Sequence, residues 1–171
     1  MLSDVGGEGL FPLLLERAAL FSDPETPHMV PSGVYDMGDP SRHAPVLLAS
    51  SWALTYYNLS LAAEAARTPV FLCFEQISEP DVMCWCRRCH QSTQKGNFDA
   101  GATARFIRDC RLEERVDHRI LVISERNAPL KGDLEKALPE WDVVVGPDRA
   151  DRLHGFLRGF AKELAAQCKT A

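Results

Sequence analysis

Four short apolar runs constrain what this chain can fold into: PVLLAS (45–50), VFLCF (70–74), RILVIS (119–124) and WDVVVG (141–146). Each is continuous rather than alternating, the pattern of a strand covered on both faces. Between and after them the apolar period becomes that of a helix. Leu54, Tyr57, Leu61 and Ala65 form one stripe, which Pro69 ends. Ala104, Ile107 and Cys110 form another within residues 100–112, and residues 131–138 read as a short helix. Residues 149–167 are the clearest helix, with Leu153, Phe156, Leu157, Phe160 and Leu164 on one face. Four alternations of strand and helix demand crossover connections, hence an α/β fold with a mostly parallel sheet and helices on both sides.

That architecture says where to look for a site. In an open parallel sheet, ligands sit outside the carboxyl ends of the strands. The loops there are 50–53, 75–99, 125–131 and 146–150, and the longest of them contains DVMCWCRRCHQSTQKGNF (81–98). Cys84, Cys86, Cys89 and His90 fall within seven positions of this stretch. Three thiolates and an imidazole suit tetrahedral zinc, and thiolates suit an iron–sulfur cluster. A structural zinc site usually takes its ligands from two separated pairs, and no second pair is evident here. Spacing alone leaves Cys86 and Cys89 open between metal ligands and free thiols. Cys86 to His90 also matches the CxxCH of c-type haem attachment. That attachment normally occurs outside the cytoplasm, and the start of the chain, MLSDVGGEG, lacks the positive flank of an export signal.

A chain of 171 residues is about one domain. We expect a helix over residues 10–21, with Phe11, Leu14, Leu15 and Ala18 at helical spacing, then a Pro-rich connector. This gives an N-terminal part at 1–33 and the α/β domain at 34–171. A net charge of −5, with basic residues interspersed among acids, argues against nucleic acid as a partner. No apolar run approaches the roughly 18 residues of a membrane span. The expected compartment is the cytoplasm, where thiols stay reduced and six cysteines make a poor disulfide framework. The turn after the first strand, SSWAL, has no glycine, so no Gly-rich phosphate-binding turn is present there. Neither a P-loop nor a GxSxG elbow occurs, which disfavours nucleotide-dependent and hydrolase chemistry. Cys73, Cys110 and Cys168 read as small apolar residues. His28, His43, His118 and His154 have no obvious acidic partner in sequence.

From Val30 to about Gly159 the order of the loops resembles a known family. PSGVYDMGDPSRHAPVLLASSWALT is similar to its Gly-Leu-Tyr, Gly-Asn-Pro and Pro-Val-Leu-Val segments. VDHRILVISERNAPLKG resembles its strand leading into an Ala-Pro loop, and VVVGPDRADRLHGFL its strand, Gly-Pro turn and last helix. Asp81-Val82-Met83-Cys84 falls where one branch has Asn-Val-Trp-Cys, and Lys95-Gly96-Asn97-Phe98 on its Lys-Gly-Thr-Phe. The family is the corrinoid-binding domain shared by the large subunit of the corrinoid iron–sulfur protein of the acetyl-CoA pathway and the corrinoid protein of mercury methylation.

The resemblance implies a Rossmann-like three-layer sandwich that holds cobalamin on the strand ends and carries methyl groups. It implies backbone contacts to the corrin amides from Ser50, Ser51 and Trp52, from Asn127, Ala128 and Pro129, and from Gly146 and Pro147. Lys95, Gly96, Asn97 and Phe98 join that cofactor-binding set. Cys84 matches the candidate lower ligand of cobalt, where a thiolate would alter how the methyl group leaves. The family's Ala-Ala-Gly after that cysteine is replaced here by the longer, cysteine-rich residues 85–94. The expected partners are methyl-donor and methyl-acceptor proteins and a ferredoxin-like reductant. The alternative is a domain that has lost corrinoid and binds zinc or an iron–sulfur cluster through Cys84, Cys86, Cys89 and His90. It would then serve electron transfer, metal handling or partner docking.

Overall fold

The structure is a computed structural model and describes residues 29–76 and 99–167. The helix expected over 10–21, the stretch 81–98 and Cys168 lie outside the described residues. Strands β1 (Gly33–Met37), β2 (Val46–Ser50), β3 (Val70–Glu75), β4 (Ile120–Ser124) and β5 (Asp142–Gly146) form one sheet in the order β1-β3-β2-β4-β5. β2 to β5 are parallel and β1 runs antiparallel along β3. The helices are α1 (Ala53–Ala66), α2 (Ala100–Asp109), α3 (Leu112–Arg115), α4 (Lys131–Ala137) and α5 (Ala150–Gln167). A 3₁₀ turn, Glu125–Leu130, joins β4 to α4.

The four expected strands are all present, and the mixed sheet covered by helices is the Rossmann-like sandwich that was expected. The alternation of side chains along each strand divides the core in two. On one face Val46, Leu48, Phe71, Cys73, Leu121, Ile123 and Val143 pack against Ala104 and Ile107 of α2 and Leu134 of α4. On the other, Leu47, Ala49, Leu72, Phe74 and Val122 meet Leu59 and Ala63 of α1 and Leu153 and Leu157 of α5. β3 follows this alternation residue by residue, which is why its uninterrupted apolar run marks a strand buried on both sides.

Three details differ from the sequence expectation. β1 was not expected; it is an edge strand, less buried than its neighbours, with the exposed Asp36 as its fourth residue. The helix expected over 100–112 breaks at Arg111, whose φ of +48° starts α3 afresh. Most consequential, the stripe Leu54, Tyr57, Leu61 and Ala65 does not face the sheet. α1 buries Ala53, Thr55, Leu59, Ala62, Ala63 and Ala66 instead, and Leu61 remains 44% exposed. Alanines let the helix lie close to β2 and β3, so the smaller stripe wins the inner position.

His118 closes the end of the sheet opposite the loops considered below. Its Nε2–H donates to the Ala44 carbonyl at 2.9 Å, and its Nδ1 accepts from the Ile120 amide at 3.2 Å. That pair of roles needs the neutral ring. Burial pushes its pKa down and nearby His43 and Arg119 push the same way, against the pull of Ala44 and Asp117. The unfolded chain therefore takes up a proton, near pH 6.5, before the folded one does. Stability is fully present above that pH and declines as pH falls toward the folded-state value. In His118→Gln, the acid-side slope of the melting temperature below about pH 6.5 should flatten; an unchanged slope would show that His118 does not carry it.

Candidate functional site at the strand ends

The crossovers from β2 and β4 lead toward opposite edges of the sheet: β2 connects to β3 on one side and β4 to β5 on the other. This is a topological switch point, where the loops diverge. The pairing shows it directly. β2 and β3 pair from Val46–Phe71 to Ser50–Glu75, and β4 and β5 from Ile120–Asp142 to Ser124–Gly146. β2 and β4 pair only at Val46–Leu121 and Leu47–Val122. Beyond Leu47 and Val122 the ladder stops, so Ser50 and Ser124 end their strands without a partner across that gap.

Polar side chains gather around the gap. Ser50, Ser51, Glu75, Thr103, Ser124 and Asn127 are all buried. Some are satisfied: Asn127 Nδ2 donates to Ser124 Oγ at 3.1 Å, and Thr103 Oγ1 donates to Glu75 Oε2 at 2.6 Å. Three atoms are not. Ser50 Oγ, Ser51 Oγ and Asn127 Oδ1 are buried without a hydrogen-bond partner among the described residues. Each such atom left without any partner costs about 1–3 kcal/mol, which marks this end of the sheet as a candidate site for water or a ligand.

Local structure explains how the chain holds them there. The Ser51 amide donates to the Glu75 carbonyl at 3.0 Å, and the Ser51 carbonyl accepts from Val30 N–H at 2.6 Å. Trp52 bridges to Met29 and precedes α1 without a side-chain cap on the helix. The backbone is thus pinned from both sides, while the serine hydroxyls are left over. Asn127 is held inside the 3₁₀ turn, with Ala128 half-buried and Pro129 exposed beside it. Gly146 ends β5, and a Cβ there would come within 3.1 Å of Val122 and 3.2 Å of Phe156. Its lack of a side chain serves the packing of α5 on the sheet. Pro147 follows it, half-buried.

Glu75 and Thr103 are site residues that the sequence reading missed. Glu75 follows an apolar run and reads as the start of a loop, yet it pairs in register with Ser50. Thr103 shares a helix face with Ile107, four residues on, which was the available signal. Burial pushes the Glu75 carboxyl above its usual range and Asp99 adds to this, against the Thr103 hydrogen bond. The bond to Thr103 also fixes α2 against the end of β3, and Asp99 caps α2 by accepting from the Gly101 amide at 2.8 Å. The connection 77–98 therefore leaves and re-enters the described structure at this site. Cys84, Cys86, Cys89, His90, Lys95, Gly96, Asn97 and Phe98 belong to it and lie outside the described residues.

Among the described residues, no three His, Cys, Asp or Glu side chains gather to hold a metal ion. Burial raises the Cys73 thiol far above its ordinary value and the Cys110 thiol to a lesser degree. Both stay protonated and pack as small apolar groups, as expected from sequence. Nor is any described helix long and apolar enough to cross a membrane.

The profile of the CO dehydrogenase/acetyl-CoA synthase delta subunit family matches residues 1–157. The chain belongs to this family. It is 32% identical over 155 residues to the acetyl-CoA decarbonylase/synthase complex subunit gamma of Methanopyrus kandleri, covering 86% of this chain and 30% of that protein. It is 29% identical over 154 residues to the corresponding gamma subunit of Methanothermobacter thermautotrophicus, covering 90% and 32%. To the corrinoid/iron-sulfur protein large subunit of Moorella thermoacetica it is 29% identical over 151 residues, covering 88% and 32%. The chain thus spans about a third of the length of these relatives. Of the two resemblances stated from sequence, the matches bear on the acetyl-CoA pathway protein.

The raised carboxyl of Glu75 gives a prediction. A folded-state pKa above the unfolded one means that the folded chain binds the proton more readily, so stability falls as pH rises through that window. Glu75→Gln keeps an acceptor for Thr103 and removes the charge. It should raise the melting temperature at pH 7, with the gain shrinking toward pH 4; a loss of stability at pH 7 would contradict the cost assigned to burial.

Proposed function

We propose that this domain is a corrinoid-binding methyl carrier of the acetyl-CoA pathway type. The observation that carries the reading is the set of three buried atoms without a partner among the described residues, Ser50 Oγ, Ser51 Oγ and Asn127 Oδ1, where β2 and β4 cease to pair with each other. A corrinoid presents a rim of carboxamides, which donate through N–H₂ and accept through C=O. Hydroxyls can meet either group and an amide oxygen meets a donor, so the residues fit it. When bound, the corrinoid supplies a cobalt centre that accepts and releases a methyl group. The protein's part is to hold and orient the macrocycle: Ser50, Ser51 and Trp52 from the end of β2, Asn127, Ala128 and Pro129 after β4, Gly146 and Pro147 after β5. Lys95, Gly96, Asn97 and Phe98 extend the same set from the connection between β3 and α2. Cys84 of that connection would offer its thiolate to cobalt, so Cys84→Ala should alter the cobalt absorption bands; unaltered bands in corrinoid-loaded protein would remove that role.

The name of the Moorella thermoacetica relative includes a corrinoid, and those of the gamma subunits place them in a multi-subunit complex. Both support a carrier that works with protein partners; methyl-donor and methyl-acceptor proteins and a ferredoxin-like reductant are the partners this reading expects. A further likeness to the mercury-methylation protein rests on residues 81–84 and 95–98.

The polar atoms give a test with two opposed readouts. Ser50→Ala and Ser51→Ala each remove an unsatisfied buried hydroxyl, so each should stabilise the corrinoid-free protein by about 1 kcal/mol. Each should also weaken cobinamide or cobalamin binding by roughly threefold to tenfold through a lost hydrogen bond. Variants that bind as tightly as the parent would remove these side chains from the ligand site.

The density of Cys84, Cys86, Cys89 and His90 supports a second reading, in which this segment binds zinc or an iron–sulfur cluster in a domain without corrinoid. Elemental analysis of the parent and of a Cys86→Ala/Cys89→Ala double variant separates the two. Metal that is stoichiometric in the parent and lost in the variant supports this reading; equal, negligible metal in both ends it.

A further inference from the structure

We infer that residues 10–21 of this chain dock, as a helix, on the outer face of α1 and complete the domain. The starting observation is that α1 is apolar on the wrong side as well as the right one. Between Ala53 and Ala66 it carries a single charged residue, Glu64. The inner face is satisfied by the sheet and α5, yet Leu54, Tyr57, Leu61 and Ala65 form a second apolar stripe pointing away from both. An apolar stripe on a second helix face is normally covered as well; here Asn58 and Glu64 flank it. The only large hydrophobic side chains exposed among the described residues are Leu61, at 44%, and Met29, at 37%.

The second observation is where the described chain begins. Met29 bridges to Trp52, the residue immediately before α1, and Val30 is hydrogen-bonded to Ser51. The preceding chain is therefore delivered to the first turn of α1. Leu61 lies about 13 Å further along the helix axis, at 1.5 Å per residue. Residues 22–28 link Met29 to the segment and span at most about 25 Å, enough to lay residues 10–21 along the whole of α1, itself about 21 Å long.

The third observation is complementarity. Phe11, Leu14, Leu15 and Ala18 recur at i, i+3, i+4 and i+7, so a helix here offers one apolar stripe of the length that the α1 stripe presents. The family match starts at residue 1, so these residues are part of what the family shares. A second copy of the chain is the weaker candidate. Four side chains on one helix present far less than the roughly 800 Å² per partner of a standard interface. A tethered segment avoids the loss of translational freedom that a free partner must offset.

Amide hydrogen exchange on the full chain tests this, at low and high protein concentration, with Leu61→Glu and Leu14→Glu beside the parent. Leu61 is exposed, so its substitution leaves the fold intact; slow exchange in peptides from β3 and β4 verifies that in each variant. The expected result is protection of residues 10–21 in the parent that is independent of concentration and falls about tenfold or more in either variant. Three results would overturn the inference: free-chain exchange of 10–21 in the parent, protection that survives Leu61→Glu, or protection that grows with concentration. The last would assign the stripe to a second copy.

Discussion

The interrupted ladder between β2 and β4 is the constraint on which the rest of this structure depends. Two parallel strands that pair at Val46–Leu121 and Leu47–Val122 and no further create a gap at their carboxyl ends. It coincides with the switch point of the sheet, where β2 connects outward to β3 and β4 outward to β5. Pairing on the outer flanks continues to Ser50–Glu75 and Ser124–Gly146, so the gap is local and its walls are firm. The apolar core beneath it, with Leu47, Leu48, Leu72, Leu121 and Val122 fully buried, gives those walls their rigidity.

Burial at that gap is spent on polar atoms in two different ways. The Thr103–Glu75 and Asn127–Ser124 hydrogen bonds hold elements in place: the first fixes α2 against β3, the second shapes the turn after β4. Ser50 Oγ, Ser51 Oγ and Asn127 Oδ1 have no hydrogen-bond partner among the described residues. A fold optimised only for stability would carry alanine or valine at such places, because an unsatisfied buried hydroxyl is worse than none. Their presence at the switch point is a physical argument for ligand binding that needs no family membership.

Much of this was legible in the sequence, for identifiable reasons. Strands buried on both faces have no alternative but a continuous apolar run, so β2 to β5 could be read directly. β1 could not: GVYDM is an edge strand, half-covered and interrupted by Asp36, and its pairing with β3 is a long-range event. The faces of α1 were ambiguous because alanines and larger apolar residues form two stripes, and packing distance to the sheet decided between them. Ser50, Ser51 and Asn127 were legible as loop positions at strand ends. Glu75 and Thr103 were not, since their partnership joins residues 28 apart; the one local signal was that Thr103 shares a helix face with Ile107. The cysteine-rich stretch announces metal chemistry by composition, but spacing alone does not distinguish a ligand set from free thiols.

The central claim is that the gap at the strand ends holds a corrinoid. Its most direct test is the visible spectrum of protein purified without oxygen, incubated with hydroxocobalamin and then desalted. The account predicts corrin bands that stay with the protein at about one equivalent. Complete loss of those bands on desalting would contradict it.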